Sequence, residues 1–80
     1  MVDHVIVTVI YKTSKFDMEI PANTSIEKII PNLIAAFQSK GISIKEPVAL
    51  ACNGRVLKPI DTLLQSGVWD GCYLELQDRG

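Results

Sequence analysis

The chain has few of the residues that catalysis, metal binding or membrane insertion would need. It holds one histidine, His4, in 80 residues. A triad therefore has no imidazole beyond one at the extreme N-terminus, where a solvent-exposed strand start is expected. Serines at positions 14, 25, 39, 43 and 66 occur in no Gly-x-Ser-x-Gly turn. The only cysteines, Cys52 and Cys72, lack the further Cys or His ligands of a zinc site and are too few for a disulfide framework. Glycine is sparse, and Asn53-Gly54-Arg55 opens a strand, not the helix that a phosphate loop requires. No apolar run reaches the roughly 18 residues of a membrane span. No cationic excess exists either. Eight Lys and Arg against nine Asp and Glu give a net charge of -1, with no five-residue window dominated by basic side chains. That excludes a strong electrostatic pull toward nucleic acid or anionic lipid. The expectation is a protein that is not an enzyme, with no catalytic residue, cofactor, metal or small-molecule substrate.

The chain is rich in apolar side chains, which make up 48% of it. That suffices for one core. Small domains bury only about 60% of the surface their unfolded chains expose, so residues 1–80 are expected to form a single domain. No basic segment precedes the first apolar run, Val5 to Tyr11. That run is short and β-branched, and it reads as a strand rather than a secretion signal. A cytoplasmic protein with reduced, packed thiols is expected.

Val5–Tyr11 is apolar at nearly every position, which predicts a central strand with both faces at least partly covered. A polar break, Lys12-Thr13-Ser14-Lys15, follows. Phe16-Asp17-Met18-Glu19-Ile20 then alternates strictly, as an edge strand with charges outward does, and Pro21 ends it. Thr24 and Glu27 have the spacing of a capping box. Beyond them Ile26, Ile30, Leu33 and Phe37 form one helical stripe flanked by Ile29 and Ile34, with Lys40 in the last turn and Gly41 as the C′ residue that ends the helix. Pro31 lies inside this helix, where it predicts a kink or a separate first turn. Val48–Cys52, the turn Asn53-Gly54 and Arg55–Leu57 form a second hairpin. Asp61–Leu64 reads as a short capped helical turn. Asp70-Gly71 turns into a last alternating strand, Cys72–Leu76. A single helix must cover one face of a mixed sheet of four to five strands, with the first and last strands side by side. The class is α+β.

This order resembles ubiquitin over nearly the whole chain, a β-grasp fold. Thr24-Ser25-Ile26-Glu27, the Asn53-Gly54 turn, and Thr62-Leu63-Leu64 with Gly67-Val68 fall at ubiquitin-like spacing. More narrowly the chain is similar to the YukD/EsaB family of bacterial ubiquitin-like proteins. His4-Val5-Ile6-Val7-Thr8 resembles that family's opening strand, Asp17–Pro21 its second strand, and Gly67–Leu76 its closing segment. Cys72 stands where the family pattern favours an acidic residue, and Pro31 is a second departure. The resemblance implies an accessory or regulatory component of a bacterial type VII secretion system that binds membrane-embedded secretion machinery. It offers an alternative too: a modifier or sulfur carrier acting through its C-terminus. Such proteins need a Gly-Gly tail, whereas the sequence closes on Gln77-Asp78-Arg79-Gly80. Ubiquitin's apolar docking positions match Ala51, Glu75 and Gln77, a poor apolar surface.

Three residues stand out as candidate protein contacts. Trp69, in the loop before the last strand, is either a binding anchor or a cap on the core end. Arg55 and Lys58 flank the second hairpin and are either contacts or solvated charges. Cys52 and Cys72, placed by parity on the helix-covered face of neighbouring strands, are expected to be close.

Overall fold

The β-branched N-terminal run forms the strand around which the sheet is organised. The computed structural model describes residues 3–79. Met1, Val2 and Gly80, and with Gly80 the reading of the terminal glycine, lie outside the described residues. In chain order the elements are β1 (His4–Tyr11), β2 (Ser14–Pro21), α1 (Ile26–Ser39), β3 (Val48–Cys52), β4 (Arg55–Val56) and β5 (Tyr73–Asp78). The sheet order is β2-β1-β5-β3-β4. β1 and β5 are parallel neighbours at the centre, and the other pairs are antiparallel. β2 is an edge strand, as its outward charges require.

Period-two alternation sorts the strand residues between two faces. Val5, Val7, Val9, Leu50, Leu74 and Leu76 turn toward α1 and are buried. The helix answers with Ile26, Ile29, Leu33, Ile34 and Phe37. Phe37 is fully buried, and its ring meets Phe16 edge-on at 5.2 Å and Tyr11 at 6.3 Å between centroids. Ile30, expected on the central stripe, is only half-buried, and Ile29 takes the inner position. β1 is central, but its outer face is not closed: Ile6 is 55% exposed. Among the described residues no element packs on the side of the sheet opposite α1.

Local chemistry sets several turns. Asn53 and Gly54 have φ values of 54° and 80°, both positive as a two-residue type I′ hairpin demands. The first hairpin is tighter than the four-residue break expected. Tyr11 pairs with Ser14, leaving only Lys12-Thr13 as the loop, with Lys12 at φ 56°. β4 is shorter than expected, because Leu57 leaves the strand and turns into the core.

The helix start differs from its sequence reading. Ser25 is the N-cap residue and makes no side-chain cap bond; its hydroxyl is buried without a partner. The first helical amides are satisfied by a distant loop instead. Ile26 donates to the Asp61 carbonyl and Glu27 to that of Pro59, each at 2.9 Å. With the Glu27 amide occupied and Ser25 as the N-cap, the Thr24 hydroxyl has no Glu27 amide left to accept. α1 runs unbroken through Pro31, so no separate first turn exists. Pro31 and Glu27 both lie on the exposed side, where water can reach the carbonyl the proline leaves unpaired. At the other end Lys40 is the C-cap residue rather than part of the last turn. Ile42 donates to Phe37 and Gly41 to Gln38, the paired bonds of a Schellman ending.

The capping box is in the 62–68 turn. Thr62 Oγ1 accepts the Gln65 amide at 3.1 Å, while Gln65 Oε1 accepts the Thr62 amide at 2.9 Å. Val68 then donates to Leu63, and Gly67, at φ 78°, supplies the left-handed residue that closes the turn. Leu63 and Val68 are fully buried, so this one helical turn is anchored in the core.

Candidate functional site

The helix-free face of the sheet carries the most exposed apolar surface that the strands position. By parity it displays Ile6, Thr8 and Ile10 from β1, Asp17 and Glu19 from β2, and Tyr73, Glu75 and Gln77 from β5. Tyr73, level with Thr8, is 61% exposed. With Ile6 it forms a diagonal apolar pair on adjacent strands. The alternation that buries Leu74 and Leu76 forces Tyr73 outward, and the parity that buries Val5 and Val7 does the same to Ile6.

Trp69 belongs to the same end of the β1–β5 pair. Its turn is bonded to β1 three times: Ile6 N–H donates to Asp70 Oδ1 and Gly71 N–H to the Ile6 carbonyl, both at 2.8 Å, and Thr8 N–H donates to the Cys72 carbonyl at 3.0 Å. The turn closes on itself where Cys72 N–H donates to the Trp69 carbonyl at 3.1 Å and Trp69 N–H to Cys72 Sγ at 3.3 Å. Trp69 is 57% exposed, while its neighbour Val68 is fully buried. Val68 therefore caps the core end, and the tryptophan is left facing water on a pinned backbone.

The other two sequence candidates lie elsewhere. Arg55 pairs with the inward-facing Cys52, which puts it on the helix side of the β4 edge, and its Nη2 donates to the Ser66 carbonyl at 3.0 Å. Arg55 and Lys58 line a shallow cavity of about 230 Å³ with Asp61, Gln65 and Ser66. Trp69 is not part of that cavity. The structure thus splits the three residues between two surfaces.

Ile6 and Tyr73 were not singled out in the sequence. Parity alone could have flagged them once the buried partners in each strand were known. Ala51 faces outward yet is 1% exposed, Glu75 is exposed, and Gln77 Nε2 donates to Glu75 Oε1 at 2.8 Å. The middle of the face is polar, and its exposed apolar residues lie apart: Ile6 and Tyr73 next to the Trp69 turn, and Val56 on the β4 edge.

Both cysteines are free thiols, Cys52 buried and Cys72 half-buried. Burial pushes the Cys52 thiol up first; Cys72 beside it adds to the rise, and Arg55 opposes it. The two are neighbours as expected, although Cys72 precedes β5 rather than lying within it. Among the described residues no group of three or more His, Cys, Asp or Glu side chains is placed to hold a metal ion. No helix among them is long and apolar enough to cross a membrane.

Residues 4–76 match the family model described as WXG100 protein secretion system (Wss), protein YukD. The chain belongs to the YukD family. Its fold is that of ubiquitin-like domains from type VII secretion proteins. The ubiquitin-like domain of Mycobacterium tuberculosis type VII secretion system protein EccD1 is similar at a TM-score of 0.78 and 24% identity, with 94% of this chain and 98% of that one covered. A chain in the structure of protomer 1 of the ESX-3 core complex gives a TM-score of 0.78 at 26% identity, covering 96% of this chain but 16% of that chain. Caldiarchaeum subterraneum ubiquitin is similar at a TM-score of 0.74 and 23% identity, covering 96% and 95%. No curated protein matches by sequence. The YukD relationship and the open sheet face together describe a ubiquitin-like secretion-system module.

Proposed function

We propose that this YukD-family domain is a non-conjugated, non-enzymatic interaction module, an accessory or regulatory component that works on the cytoplasmic side of a bacterial type VII secretion system. Its partner is a protein of the membrane-embedded machinery. The observation that carries the reading is the exposed apolar pair Ile6 and Tyr73 on a sheet face that no described element covers, with exposed Trp69 in the turn bonded to the end of β1. Aromatic side chains held on a rigid backbone lose little entropy on binding and are typical interface anchors. The likeness to a chain of the ESX-3 core complex supports the choice of machinery. The polar arrangement of Ala51, Glu75 and Gln77 supports a docking mode other than ubiquitin's.

The test is site-specific photocrosslinking in a host with an active system. A crosslinker replacing Tyr73 is expected to capture a membrane subunit of the secretion complex, whereas one replacing Asn32 on the exposed side of α1 captures none. Crosslinks from Asn32 alone, or none to the machinery from either site, would overturn the proposal. Intact mass after incubation with ATP and an adenylating enzyme checks the alternative. A C-terminal adenylate or thiocarboxylate would make the chain a modifier or sulfur carrier.

A further inference from the structure

The apolar end of the outer face, Ile6 with Tyr73, is flanked by acids. Glu19 is level with Ile6 and Asp17 with Thr8 on β2; Glu75 is level with Ile10 on β5; Asp70 sits in the pinned turn at the end. Against these four carboxylates the described strand residues of the face offer one lysine, Lys15, level with Ile10, and the imidazole of His4 at the start of β1. The whole chain is nearly neutral at -1, so this face gathers negative charge at the expense of the rest of the surface. A partner whose own apolar contact is flanked by cations would find complementary charge on both sides.

Geometry narrows the shape of that partner. β2 and β5 flank β1 on either side. With strands about 4.8 Å apart, the β2 carboxylates and Glu75 lie in rows about 10 Å from one another. An α-helix with its side chains is about 10–12 Å across. The backbone argument agrees. β1 is bonded to β2 on one side and to β5 on the other, so it offers no free amide row to a strand laid over it. A segment resting on the face must satisfy its own backbone groups, and a helix does so internally.

We infer that the outer sheet face receives a cationic amphipathic α-helix, laid along β1 between the β2 carboxylates and Glu75, with its apolar stripe on Ile6 and Tyr73 and its lysines or arginines over the flanking acids. This rests on the reading of the face as the docking surface and adds the chemistry of what docks. Trp69 stands at the end of the trough as the anchor for one large apolar side chain of the helix.

The probe is a synthetic 14-residue helix with a leucine stripe flanked by lysines, and a twin with glutamates in place of the lysines. Binding is read from the emission of Trp69, the sole tryptophan, and from backbone amide shifts. The lysine peptide is expected to shift Ile6, Thr8 and Tyr73, and the glutamate twin to bind at least about tenfold more weakly. Combined Glu19→Lys and Glu75→Lys substitutions weaken the lysine peptide about tenfold, since each reversal is worth a few-fold at an exposed site. Glu46→Lys, a charge change away from the face, leaves it unchanged. Affinity falls as salt is raised. Equal binding of the twins, or shifts confined to α1, would overturn the inference. So would a concentration-dependent dimer that covers Ile6 and Tyr73 without peptide, which would give the face to a second copy. If Tyr73 crosslinks reach the secretion machinery while the lysine peptide does not bind, only the partner chemistry fails. If those crosslinks miss as well, the docking face itself is wrong.

Discussion

Replacing Thr62 by valine keeps the β-branched shape and deletes one hydroxyl. The structure makes this hydroxyl the acceptor for the Gln65 amide, in a box whose return bond runs from the Thr62 amide to Gln65 Oε1. Losing an N-terminal cap costs about 0.5–2 kcal/mol. The upper half of that range is expected, because the turn cannot fray freely: Leu63 and Val68 at its two ends are fully buried. For a domain of this size about 1 kcal/mol lowers the melting temperature by roughly 4–8 °C. Thr24→Val is the matched control. It occupies the position that the sequence pattern marks as a cap, but the amides of Ile26 and Glu27 already have backbone partners in the 59–61 loop. Its effect is expected within about 0.5 kcal/mol. Urea unfolding followed by far-ultraviolet circular dichroism suits both variants, since exposed Trp69 is a poor reporter of unfolding. Gln65→Ala and the double variant complete a cycle, in which a reciprocal pair couples by at least about 0.5 kcal/mol. If Thr24→Val destabilises as much as Thr62→Val, or the cycle is additive, the placement of the box is refuted.

Three further outcomes follow from Tyr11 and the two thiols. The buried Tyr11 phenol donates to Asp78 Oδ1 at 2.9 Å and accepts the Lys45 amide at 3.3 Å, tying β1, β5 and the loop before β3 together. Tyr11→Phe should lower stability by about 1–3 kcal/mol in the same urea assay, and a loss under 0.5 kcal/mol would count against both bonds. In the folded protein a maleimide should label half-buried Cys72 well before buried Cys52, with both labelled rapidly in urea; equal native rates would contradict the packing. The raised Cys52 thiol also sets a pH dependence. Its neutral form is favoured by the fold, so the unfolded chain loses the proton first as pH rises. Stability is unaffected below the ordinary thiol range and declines as pH climbs through it toward the folded value. A melting temperature that rises over that alkaline range would contradict the sign.

Patterns confined to neighbouring residues were legible before any coordinates. Strict alternation in Phe16–Ile20 marked an edge strand, and β2 is one. Asn53-Gly54 marked a type I′ hairpin, and both φ angles are positive. The candidate site was less legible. Trp69 drew notice by its type, but Ile6 and Tyr73 looked like ordinary strand residues. Arg55 reads in the sequence as a flank of the second hairpin, and only strand parity puts it on the helix side. Whether an apolar strand residue is buried depends on whether a second layer covers its face, and a single helix covers only one.

The sequence by itself determined the order of the elements, their periods and the chemistry of the Asn53-Gly54 turn, because each depends on side chains a few positions apart. It also determined the YukD resemblance. Tertiary structure alone decided what caps α1, since the carbonyls of Pro59 and Asp61 come from a loop more than thirty residues downstream. It alone decided that the capping box closes the 62–68 turn. And it alone left Ile6 and Tyr73 together in water on the face the helix does not reach, with exposed Trp69 in the turn beside β1: long-range pairing of β1 with β5 brings the first and last strands side by side.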